Sequence, residues 1–121
     1  MKKKFTPMIV LIGILTVILS STSMLWAQDA PRTIEITAKR FSYDPSEITL
    51  KKGQPVVLVL KSADVAHGLR IRDLDINIKV KAGGTAEAQF TPEKTGDFTG
   101  HCSVFCGSGH GRLILKLHVV D

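Results

Sequence analysis

From Thr33 onward, apolar and polar residues alternate in short runs broken by turn residues, the pattern of half-buried strands. Ile34, Ile36 and Ala38 alternate with Thr33, Glu35, Thr37 and Lys39, which predicts a first strand with one face in water. Asp44 and Pro45 signal a turn, and a short second strand is expected from Glu47 to Leu50. Lys51 to Gln54 then lead into Pro55 to Leu60, where Val56 to Leu60 is apolar on both faces and reads as a central strand. His67 to Ile71 and Ile76 to Val80 form the next pair around a turn at Asp73 to Asp75. After them come Thr85 to Phe90, Asp97 to Cys102 and Leu113 to Val120. Eight strands, no helix of normal length and no internal repeat define an all-β sandwich or barrel.

The first 27 residues break this pattern. Lys2, Lys3 and Lys4 precede an apolar run from Pro7 to Leu19, then Ser20 to Ser23 and the small residue Ala27, the three-part layout of a secretory signal. The expectation is an exported, periplasmic or otherwise extracytoplasmic protein cleaved after Ala27. Retention of the segment as a membrane anchor is the alternative, since Met24, Leu25 and Trp26 resume the apolar character. The segment has no cysteine to carry a lipid. Its removal leaves residues 28–121 as one small domain. It also takes away three lysines and no acid, so the net charge falls from +5 to 13 minus 11, or +2. That balance gives no support to nucleic-acid binding. All three methionines and the one tryptophan lie in the same segment, so the remaining chain has neither.

Chemistry concentrates in His101 to Arg112, HCSVFCGSGHGR. Cys102, Cys106 and His110 recur at four-residue intervals among Gly100, Gly107, Gly109 and Gly111. Thiolate and imidazole are donors for soft or borderline metals such as copper and zinc. If the strands alternate in direction across the sandwich, the loop ending at His67 and the cysteine loop emerge at the same pole. A second imidazole then joins two thiolates and the first.

The string C-x-x-x-C-G-x-G-H, Cys102 to His110, together with ADVAHGL, Ala63 to Leu69, resembles the binuclear CuA copper domain of cytochrome c oxidase subunit II. The resemblance implies a cupredoxin-like Greek-key β-sandwich over residues 28–121. It also implies two copper ions bridged by Cys102 and Cys106, each with one histidine, His67 or His110, and a weak carbonyl ligand from Val104. Two departures stand out. Leu113 occupies the position of the family's methionine ligand, and no tryptophan lies near the site. Loss of a weak axial ligand changes redox potential and valence sharing more than it abolishes binding.

Other readings of the same residues are a structural disulfide between Cys102 and Cys106, a zinc site and a mononuclear copper site. The disulfide would close a very small loop and would need neither His110 nor the glycines. Two cysteines and two histidines suit structural zinc, but such sites usually support domains that lack a core. His101, adjacent to Cys102 in a strand, points to the opposite face. His118, on the outward face of the last strand, is expected to be inert, and Arg70, Arg72, Lys79, Lys81 and Arg112 read first as solvated surface, with a docking face for an acidic partner as the alternative. No nucleophile, base and orienting group combine, so the sequence predicts an electron-transfer protein rather than an enzyme. Its partner would be a c-type cytochrome or terminal oxidase, with the membrane involved only through an uncleaved leader. Copper storage or delivery to a respiratory oxidase is the alternative function.

Overall fold

The alternation becomes nine β-strands in the computed structural model, which describes residues 30–121. They are β1 (Arg32–Lys39), β2 (Ser42–Asp44), β3 (Glu47–Lys51), β4 (Val56–Ser62), β5 (His67–Ile71), β6 (Ile76–Val80), β7 (Thr85–Phe90), β8 (Gly96–His101) and β9 (Ile114–Val120). The expected signal segment lies outside the described residues. Eight strands match the expected ones to within a residue or two. The ninth, β2, is three residues long and sits where the sequence signalled only a turn. Short 3-10 turns occur at Arg72–Leu74 and His110–Arg112.

The strands form two sheets in the orders β2-β1-β4-β7 and β3-β9-β8-β5-β6. β1 runs parallel to β4 and β3 parallel to β9, while the remaining pairs are antiparallel. The chain changes sheet between β2 and β3, β3 and β4, β4 and β5, β6 and β7, and β7 and β8, as a Greek-key sandwich requires. The inward residues of both sheets interleave. Ile36, Leu58 and Leu60 of one meet a set from the other that includes Leu50, Leu69, Ile71, Leu115 and Leu117, all fully enclosed. Burying each such side chain stabilises the fold by about 1.5–3 kcal/mol before chain entropy is charged against it. Val57 and Val59 of the central strand β4 are half-buried, because that face of their sheet meets solvent.

This topology positions the candidate metal-ligand residues. β5 pairs antiparallel with β8 in a register that sets Arg70 opposite His101, so the start of β5 and the end of β8 share one pole. His67 opens β5, and Cys102 follows β8 directly.

Candidate metal centre

The loop leaving β8 turns Cys102 inward, where it is 7% exposed, and returns Cys106 to within 3.8 Å, sulfur to sulfur. Both are free thiols, far outside the ~2.05 Å of a disulfide. The Cys102 thiol donates to the Val104 carbonyl at 3.0 Å, so that oxygen also faces the pair. Cys106 Sγ lies 3.6 Å from Nδ1 of His110, whose own N–H donates to the Gly107 carbonyl at 3.1 Å and whose carbonyl accepts from the Leu113 N–H to close the 3-10 turn.

From the other side comes His67, fully enclosed. Its Nε2 lies 2.6 Å from an Asp64 oxygen. An ionised carboxylate only accepts hydrogen bonds, so Nε2 carries the proton and Nδ1 presents its lone pair. That Nδ1 is buried without a partner. The ligand atoms of His67, Cys102 and Cys106 all lie within 4.8 Å of one another. A buried lone pair beside two thiols is a donor set that suits a cation preferring nitrogen and sulfur. Without metal, burial first and then the nearby Cys102 push the Cys106 thiol up to about 11. A bound cation reverses that cost by favouring thiolate, which makes binding proton-releasing.

Arg40, Phe41, Tyr43 and Asp64 brace these donors, and sequence reasoning missed all four. Burial works against ionisation of Asp64, but N–H donors from Arg40 and Val65 and the His67 ring outweigh it and hold the carboxyl at about 2. The Arg40 guanidinium Nε donates to the Cys106 carbonyl at 3.1 Å, tying the turn before β2 to the cysteine loop. The Tyr43 hydroxyl, buried, donates to the Gly68 carbonyl at 2.5 Å, and the Gly68 N–H in turn points at Cys102 Sγ at 3.4 Å. Gly68 has no room for a side chain, since a Cβ there would lie 2.1 Å from the Ser103 hydroxyl. Phe41 fills the space beneath the loop glycines. A Cβ at Gly109 would sit 2.4 Å from its ring, and Gly107 beside it has φ +133°. Arg112 stacks over the same ring at 5.5 Å. The Asp-x-x-His spacing of Asp64 and His67 was a readable signal for one of these contacts. Arg40 and Cys106, 66 positions apart, had none.

The other singled-out residues fall as follows. Leu113 is fully enclosed in the core cluster and offers no thioether. His101 is exposed on the outer face of the five-stranded sheet, as expected. His118 is not inert: its two ring nitrogens contact Asp97 and Glu47, each at 2.5 Å, and these carboxylates raise its pKa above the ordinary value. Phe105 is 80% exposed, with its ring 5.7 Å from that of His110.

A two-sheet Greek-key sandwich with two thiols and two imidazoles at one pole defines a class of metal-binding domains. The family model for the cupredoxin-like domain matches residues 8–115, and the chain belongs to that family. Subunit 2 of cytochrome c oxidase from Thermus thermophilus is 30% identical over 88 residues, covering 69% of this chain and 65% of the relative. A nitrous-oxide reductase from Ralstonia nicotianae is 38% identical over 91 residues, covering 72% of this chain but 14% of the reductase. The chain thus spans less than two thirds of the length of either. Among solved structures, the periplasmic domain of subunit II of cytochrome oxidase from Bradyrhizobium japonicum superimposes with a TM-score of 0.69. It is 23% identical, over 76% of this chain and 86% of that one.

Proposed function

We propose that the protein is an exported copper-binding cupredoxin that transfers single electrons through a CuA-like centre. His67, Cys102, Cys106, His110 and the Val104 carbonyl hold the metal. The observation that carries this reading is the unpartnered Nδ1 of buried His67 beside two free thiols 3.8 Å apart. The donor chemistry suits copper, and the relatives named above include an oxidase subunit 2. Copper, when bound, supplies a site that gains and loses one electron.

The chain's own residues do the rest. Asp64 keeps the His67 proton on Nε2 and so keeps Nδ1 available to metal. The Gly68 N–H donates towards Cys102 Sγ and helps fix where that sulfur sits. His67 lies on a packed strand and the cysteine loop is anchored between β8 and β9, so the donors keep their places as charge changes. Phe105 and His110 carry the site to the surface, where a c-type cytochrome or a terminal oxidase would exchange electrons. Residues 1–27 direct the chain out of the cytoplasm or anchor it there. The test is copper stoichiometry with visible absorption and electron paramagnetic resonance on the purified protein. Two coppers per chain with hyperfine splitting from both nuclei supports the proposal. Zinc alone, with no copper retained, overturns it.

Leu113 favours a second reading, copper storage or delivery, because the apolar side chain gives a copper ion one donor fewer. Under that reading copper binds as colourless Cu(I) and passes readily to a chelator. Under the first it stays bound in both oxidation states.

A further inference from the structure

A cleft of about 470 Å³ opens on the outer face of the five-stranded sheet, against the metal pole. Arg70, Arg72, His101, Cys102 and Ser103 line it. Strand alternation explains why the basic groups gather there. Leu69, Ile71, Gly100 and Cys102 turn inward, so Arg70 and His101, paired across β5 and β8, both turn out. The next outward position on β5 is continued by Arg72. Lys79, across from Gly68 on β6, extends the positive strip. Among the described residues, neither Arg70 nor Arg72 is in a salt bridge. The two nearest acids in sequence are Asp73 and Asp75 of the turn after β5. On β8 the acidic residue is Asp97, and His118 engages it at the far end of the sheet.

We infer that this cleft is a carboxylate-binding subsite for an acidic segment of a partner protein, which it docks beside Cys102. Guanidinium groups are planar, permanently charged and suited to two-point contact with carboxylates. Two guanidinium groups outside any salt bridge among the described residues, lining one cleft with an imidazole, offer such contacts. A concave opening of this size admits one or two acidic side chains of a polypeptide, whereas a flat anionic bilayer would meet only its rim. The subsite is separate from the mainly apolar opening over Cys106, which Val65, Ala66 and Phe105 line with Arg40 at its edge. The two thiols are thus approached by surfaces of different chemistry. The inference does not depend on the copper proposal, because the cleft is lined by charge that is present with or without metal.

The test is titration of the isotope-labelled protein, with and without Cu(I), with an end-blocked hexaglutamate peptide, followed by amide chemical shifts. Saturable shifts centred on Arg70, Arg72, His101 and Ser103 are expected. Joint substitution Arg70→Gln and Arg72→Gln should weaken binding at least tenfold. Lys51→Gln with Lys52→Gln, which removes the same charge elsewhere on the surface, should change it less than twofold. Both pairs are exposed, so the fold survives either change. Equal loss from both pairs would reduce the effect to net charge and overturn the inference. So would shifts centred on Phe105, saturation by inorganic phosphate with none by the peptide, or tighter binding to phosphatidylglycerol vesicles than to the peptide.

Discussion

Asp64 touches no donor atom of the proposed centre except through His67, yet it decides which nitrogen of that ring is free. Asp64→Asn keeps the shape and loses the charge. Losing such a partner typically lowers metal affinity about 10–100-fold, which competition with a Cu(I) chelator would measure. An unchanged affinity would show that packing alone orients His67. Leu113→Met is a volume-conserving change in the core and should cost less than about 1.5 kcal/mol. Its expected effect is electronic: a shifted reduction potential and altered copper hyperfine splitting, with neither moving if the side chain does not reach the metal. His118 behaves differently. Asp97 first, then Glu47, raise its pKa above the ordinary 6.5, so its protonated form favours the folded state. The stabilisation is fully present below that ordinary value and fades as pH rises through the raised one. Melting temperatures from about pH 6 upward should therefore show wild type exceeding His118→Gln at the acid end, with the gap closing as pH rises.

At the scale of elements, the corner with the least sequence signal, Arg40 to Tyr43 leading into β2, carries much of the bracing. β2 is three residues between turn residues, too short for alternation to announce it. The longer strands were legible because each repeats apolar and polar positions enough times to fix its faces. The cysteines and His110 were legible from spacing, and His67 from the crossing between sheets. The corner at Arg40, Phe41 and Tyr43 was not. Its contacts join residues tens of positions apart, and none of its own three residues is of a type that signals metal chemistry. The corner can be tested directly. Gly109→Ala drives a methyl group into the Phe41 ring, and overpacking of this kind costs about 1–3 kcal/mol. Combining it with Phe41→Leu should recover part of that loss in denaturant unfolding. Strict additivity of the two changes would separate the ring from the loop.

For the molecule as a whole, a metal that binds only the folded state raises the melting temperature in proportion to the logarithm of its free concentration over the dissociation constant. The shift on adding Cu(I) should vanish in Cys102→Ser with Cys106→Ser. His67 and Cys102 lie 35 positions apart in the chain, and their ligand atoms fall within the same 4.8 Å cluster. An ion held by both closes that stretch of chain into a ring that includes all of β5, β6, β7 and β8. Pulled from its two ends, the loaded protein would hide the length inside the ring, about 120 Å at roughly 3.5 Å per residue. That length would appear only when the ion lets go, so the reach of the stretched chain would report, molecule by molecule, whether metal is bound.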